Sequence, residues 1–186
     1  GAGPEPRGFA RAADASCVAE WMGWSAGWMI IGGPASAVYA GSAGVFATNP
    51  STGDIWKYNG TPGSWTEIGG PGAQFAEGGG HLYGLGPNSD YVAEWNGPGA
   101  GWTIIGGAAA EIEAGPDGLV ATRPGAGAGG DIFRYNGTPN SWTKIGGPPS
   151  STQGASLAVG ADGVYRINPT DAAGETVVDK WTSGTT

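Results

Sequence analysis

The sequence predicts an all-β chain arranged as a β-propeller of four-stranded antiparallel blades, about five in number. Three observations in one frame carry that prediction. Tryptophan opens each W-x-x-I-G-G stretch at Trp28, Trp65, Trp102 and Trp142, in steps of 37, 37 and 40 residues. The X-Pro pairs Asn49-Pro50, Gly86-Pro87, Arg123-Pro124 and Asn168-Pro169 keep the same frame, as do Gly41, Gly78, Gly115 and Gly160. A repeat of this period is the mark of a modular architecture. The copies alternate between two kinds: residues 58–71 and 135–148 agree at twelve of fourteen positions, and residues 18–33 resemble residues 92–107.

Within each unit, four short apolar runs are bounded by turn residues, as expected for small antiparallel strands. The first run carries Val38, Phe75, Ile112 and Leu157, and closes on turns such as Gly115-Pro116-Asp117-Gly118 and Gly160-Ala161-Asp162-Gly163. Glycine there suits positive φ. The second run carries Val45-Phe46, Leu82-Tyr83, Leu119-Val120 and Val164-Tyr165. The third is Ile55-Trp56-Lys57-Tyr58 and its counterparts, closed by Asn-Gly at Asn59, Asn96 and Asn136. The fourth is the W-x-x-I run. No segment holds apolar residues at helical spacing over ten residues. Four strands and a tryptophan per unit describe a propeller blade. A solenoid of parallel coils competes, but its coils have fewer, shorter strands and lack hairpin turns.

The third run also alternates in size and charge. Ala19, Trp56, Ala93 and Phe133 read small, large, small, large, and the next position reads Glu20, Lys57, Glu94, Arg134. Face-to-face sheets would accommodate large against small, and acid could pair with base between neighbouring blades. The ancestral unit is then two blades. At the ends, residues 8–13 align with a second strand and residues 177–181 with a third. That count predicts five blades with two ragged edges; four blades with an overhang, or part of a six- or seven-bladed ring, fit the same count. Residues 1–6 read as a flexible tail and 7–186 as a single domain. Open blade edges offer a route to a homo-oligomer.

Composition narrows the function. Net charge is −8, and the eight basic residues are scattered singly. Nucleic acid and anionic membrane surfaces demand clustered Lys and Arg, so neither partner is expected. No apolar run approaches the ~20 residues of a membrane span. With 13% charged residues and no initiator methionine or signal peptide, the chain reads as a mature or trimmed secreted form. Cys17 is the single cysteine and His81 the single histidine, too few for a zinc site. Cys17 is read as a partly buried inert thiol and His81 as a solvated hairpin residue. Asp117 and Asp162 lie in turns and supply too few oxygens for calcium. Glu111 and Glu113 share one face of a first strand, and as channel-lining carboxylates would be the only basis for a propeller glycosidase. No catalytic residue, metal or cofactor is expected.

The aromatics are the remaining signal. Trp28, Trp65, Trp102 and Trp142 recur so strictly that a structural role is expected. Trp21, Tyr58, Trp95, Tyr135 and Trp181 end the third strands, and with Asn59, Asn96 and Asn136 could form shallow pockets between blades. Aromatic faces stack on sugar rings, and Asn side chains suit sugar hydroxyls. Trp24, in a turn where the sister unit has Pro98, is expected at a contact surface.

The 37-residue unit, with its Gly-x-x-Gly turn, its I-x-x-Y-N-G strand and W-x-x-I-G-G, resembles the tectonin repeat of the tectonin and tachylectin β-propeller lectins. The resemblance spans roughly residues 7–181. It implies multivalent, extracellular binding of glycans or glycoconjugates in pockets between successive blades. The aromatic and Asn-Gly positions are the ones it would assign to binding. Those propellers usually have six or seven blades, more than this chain supplies. A non-catalytic protein-interaction propeller attached to a larger secreted protein is the alternative function.

Overall fold

The computed structural model describes residues 7–124, 131–146, 157–168 and 177–181. The expected tail at 1–6 and the glycine-rich insertion at 125–130 lie outside them. The described residues contain no helix; they form five antiparallel sheets. The first holds β1 (Gly8–Arg11), β2 (Val18–Trp21) and β3 (Trp28–Gly32). The second holds β4 (Ala37–Gly41), β5 (Gly44–Thr48), β6 (Asp54–Tyr58) and β7 (Trp65–Pro71). The third holds β8 (Gln74–Gly78), β9 (His81–Leu85), β10 (Val92–Trp95) and β11 (Trp102–Gly106). The fourth holds β12 (Glu111–Gly115), β13 (Gly118–Thr122), β14 (Ile132–Tyr135) and β15 (Trp142–Gly146). The fifth holds β16 (Leu157–Gly160), β17 (Gly163–Asn168) and β18 (Val177–Trp181). Each sheet is a meander in chain order. Three strands in the first and fifth sheets and four in the others is the count that the repeat register requires.

The chain folds as two compact units, Gly1–Gly72 with the first two sheets and Ala73–Thr186 with the other three. In the first unit Val18, Ile31, Ala35, Val45, Ala47 and Tyr58 form the core. In the second, one cluster gathers around Ile105, Ile112 and Leu119, and another joins Val120, Ile132, Leu157 and Val164. Most of these are strand residues, so within each unit neighbouring sheets bury apolar side chains against one another.

The repeated glycines divide their work. Gly118 takes φ of 112°, which favours glycine, whereas Gly115 is needed for space: a Cβ there would overlap the Val159 carbonyl, and one at Gly78 the Gly115 backbone. The first strands β8, β12 and β16 of the second unit therefore converge at these glycines. Between β8 and β12 the Gln74 amide accepts from Ile112 N at 2.9 Å and donates to Ile112 O at 2.7 Å. One side chain thus satisfies both backbone groups of a residue in the next sheet. In the third sheet the β8–β9 hairpin turns on Gly79 and Gly80, with φ of 61° and 85°, as a type I′ turn requires. This is why His81 can replace the glycine found at that position elsewhere.

Among the described residues, the acids and bases expected to pair between blades meet partners nearer in the chain fold. Glu94 meets His81 Nδ1 of its own sheet at 2.6 Å, Arg134 bonds the Asp117 carbonyl of its own sheet at 2.8 Å, and Arg166 pairs with Asp179 within the fifth sheet. Glu20 pairs with Arg7 at 3.4 Å. Cross-strand diagonals within a sheet lie nearer than a neighbouring sheet about 10 Å away.

Candidate functional site

The site grows out of the fourth-strand motif. Val18 pairs with Gly32 and Ala19 with Ile30, so Ile31 is an extra residue, a β-bulge. Ile105 is skipped identically between β10 and β11. The bulge turns the isoleucine carbonyl out of its ladder. Trp65 Nε1 donates to Ile31 O at 2.8 Å, and Trp142 Nε1 to Ile105 O at 2.9 Å. The same carbonyls accept from Gly63 N and Asn140 N, each at 2.8 Å. The glycine after each bulge gives the indole room: a Cβ at Gly32 or Gly106 would lie 2.9 Å from the tryptophan nitrogen. The W-x-x-I-G-G motif is thus a plug and a socket, with the tryptophan of one sheet seated on the bulge of the preceding one.

Beside each seat lies a pocket, of ≈240 Å³ in the first unit and ≈190 Å³ in the second. Their walls correspond residue for residue: Gly33 with Gly107, Ala35 with Ala109, Thr48 with Thr122, Asn49 with Arg123, Trp56 with Phe133 and Trp65 with Trp142. The large member of the small–large alternation forms one wall, and the second glycine of the Gly-Gly doublet opens the other. Both linings are chiefly apolar, with Thr48 and Asn49, or Thr122 and Arg123, at hand for polar contacts. Trp56 Nε1 is buried without a hydrogen-bond partner. The two pockets differ at three places, where Pro34, Asn49 and Trp56 correspond to Ala108, Arg123 and Phe133.

The residues singled out in the sequence fall elsewhere. Tyr58 and Tyr135 are not rim aromatics: both are buried, 5.1 Å from Trp65 and Trp142. Burial first, then the charges of Glu20 and Glu94 respectively, pushes their phenols up. Asn59, Asn96 and Asn136 hold their hairpins shut, the first through Ser64 Oγ and Thr66 Oγ1, the second through Thr103 Oγ1 and the third through Ser141 Oγ. Trp21 and Trp24 do meet, with centroids 5.4 Å apart, and Trp28 lies 5.5 Å from Trp21. Trp24 is 87% exposed and Trp28 54%, so Trp28 departs from the structural role of Trp65 and Trp142. Trp95 pairs across from Trp102, and Trp181 packs beside the core of the fourth and fifth sheets. The pocket walls Trp56 and Phe133 carried a signal in the alternation, but its meaning depends on which sheet faces which.

Glu111 and Glu113 do share a face of β12, with Ile112 buried between them. Burial and then the Glu111 charge raise the Glu113 carboxyl. Among the described residues no group of three or more His, Cys, Asp or Glu side chains could hold a metal, and no helix is long and apolar enough to cross a membrane.

No family model and no curated protein matches the chain. Among solved structures it is similar to one described as YCF48 bound to D1 peptide, with TM-score 0.63 and 15% identity over 96% of this chain. The chain is a β-propeller. It spans 62% of the length of that structure, and the likeness establishes the fold alone. The propeller has five blades among its described residues, and its tectonin-like repeats remain a resemblance.

Proposed function

We propose that this propeller is a non-catalytic binding module whose two equivalent pockets take apolar side chains of an extended polypeptide segment. The observation that carries this is the duplication: two pockets, alike wall for wall, each with an aromatic side, a glycine-opened mouth and one adjacent polar pair. Such concave, mostly apolar sites with few polar groups suit side-chain recognition. Their linings hold no carboxylate, thiol or imidazole to act as acid, base or nucleophile. The fold neighbour YCF48 is described in complex with a peptide, which supports a polypeptide ligand over other classes. In this reading the module belongs to a larger secreted protein. Two weak sites on one chain gain strength together when the ligand reaches both.

Gly33 and Gly107 provide the test, because a Cβ at either meets nothing within 4 Å and neither has a positive φ. Gly33→Leu and Gly107→Leu should each fill one pocket and leave the fold intact. A displayed peptide library panned on the protein should yield binders that shift the indole resonances of Trp56, Trp65 and Trp142. The double variant should lose those binders. Binders indifferent to both substitutions would refute the reading.

A second reading is glycan binding, favoured by an aromatic wall beside Thr48 and Asn49. A glycan array showing binding that free sugar competes away, and that the double variant loses, would select it over the peptide.

A further inference from the structure

The two pockets are alike in shape but not in hydrogen-bonding capacity, and the difference falls on Asn49. This residue follows β5, is half-buried, and lines the pocket of the first unit. Its Oδ1 accepts from Ser51 N at 2.8 Å and from Thr52 N at 3.3 Å, closing the turn that leads into β6. Those two bonds fix which end of the amide is which. Nδ2 is the end left over, a donor with no acceptor among the described residues. Trp56, in the same lining, has its Nε1 buried and likewise without an acceptor. Thr48 Oγ1 is already engaged, 2.7 Å from Ser36 Oγ. The side chains of this pocket thus have two N–H donors to spare. In the second unit Arg123 stands in the place of Asn49 and pairs with Asp131 at 3.6 Å, and Phe133 in the place of Trp56 brings no donor.

We propose that the pocket of the first unit selects proline in the bound segment, and that Asn49 sets this preference. The inference rests on the polypeptide reading above and adds which residue the pocket takes. An extended segment brings both carbonyl acceptors and N–H donors to the site. A carbonyl can take up the spare Asn49 donor. An N–H carried in beside groups that are themselves unpaired donors loses its bond to water and gains none in return. Proline has no N–H to lose. Its pyrrolidine ring is apolar, and the negative face of the Trp56 indole suits the polarised C–H groups of that ring. Proline also holds the segment extended before it binds, so less conformational freedom is given up on docking. The ring then enters at the mouth that Gly33 leaves open and lies against Trp56, while Asn49 Nδ2 donates to a carbonyl beside it.

The test is fluorescence anisotropy of dye-labelled GSPPPPGS titrated with the 186-residue protein. Saturable binding is expected, at least tenfold tighter than that of GSAAAAGS. Asn49→Asp keeps an acceptor for Ser51 N and Thr52 N and removes the spare donor, so it should weaken GSPPPPGS at least tenfold, with folding verified by urea unfolding. Gly33→Leu should abolish binding and Gly107→Leu should leave it unchanged, which places the peptide in the first pocket whatever Asn49→Asp does to stability. Absence of binding, equal binding of the alanine peptide, or full affinity in a folded Asn49→Asp variant would overturn the proposal. So would binding that survives Gly33→Leu. Library binders that lack proline yet are lost in the Gly33→Leu/Gly107→Leu variant would overturn this preference and leave the polypeptide reading standing, whereas a library without binders would overturn both. A glycan lost in Asn49→Asp, with no proline peptide bound, would assign the spare donor to a sugar hydroxyl and overturn it too.

Discussion

Trp65 donates its indole N–H to the carbonyl of Ile31 across 2.8 Å, joining the fourth strands of two successive sheets. A hydrogen bond of this kind contributes about 1 kcal/mol net, while truncating a packed tryptophan to alanine costs about 3 kcal/mol at the low end of its range. Trp65→Phe should therefore cost about 1 kcal/mol and Trp65→Ala about 3 kcal/mol in urea unfolding. Gly32→Ala should destabilise by driving a methyl against the indole, and the Gly32→Ala/Trp65→Ala double variant should show coupling of at least ~0.5 kcal/mol. Strict additivity would mean that Gly32 is not there for the indole.

Gly63 and Asn140 occupy the same place before the plug, with φ of 78° and 64°. A left-handed residue costs roughly 1–2 kcal/mol unless it is glycine or, in part, asparagine. Gly63→Asn should be close to neutral in thermal melting, whereas Gly63→Val should cost roughly 1–2 kcal/mol. Asn140→Gly should leave stability unchanged or slightly raised. Equal effects of Asn and Val at position 63 would contradict this account.

Trp56 lines one pocket with its indole N–H buried and unpaired, and Phe133 does the same work in the sister pocket without that atom. An unsatisfied buried donor costs about 1–3 kcal/mol. Trp56→Phe removes the donor along with part of the ring, so its net effect on unfolding free energy should stay within about 1 kcal/mol. A loss beyond that would show the N–H to be satisfied in solution.

Glu113 has its carboxyl raised in the folded state by burial and by Glu111. A carboxyl raised on folding favours the native state while protonated, and that contribution is lost as pH climbs past the ordinary value of 4.5 toward the folded one. Glu113→Gln should therefore stabilise the protein at pH 7 relative to the parent, and the two melting curves should converge below about pH 4. A constant difference across pH would assign the effect to packing instead of charge.

Fold class, strand order and ragged ends were determined by the sequence alone, because turn chemistry and period-2 runs act locally and the repeat states them four times over. Even the two-blade alternation was visible in Ala19, Trp56, Ala93 and Phe133. What those residues do was decided by tertiary structure. Bulges at Ile31 and Ile105 seat the indoles of Trp65 and Trp142, Tyr58 and Tyr135 lie buried against those indoles, and Trp56 and Phe133 wall the pockets beside them. A bulge leaves no local signature beyond an apolar residue before Gly-Gly, and its carbonyl acquires meaning only when the next sheet brings a tryptophan to it. Charge pairing followed the same rule: Glu94 chose His81 within its own sheet, because strand neighbours are closer than sheet neighbours.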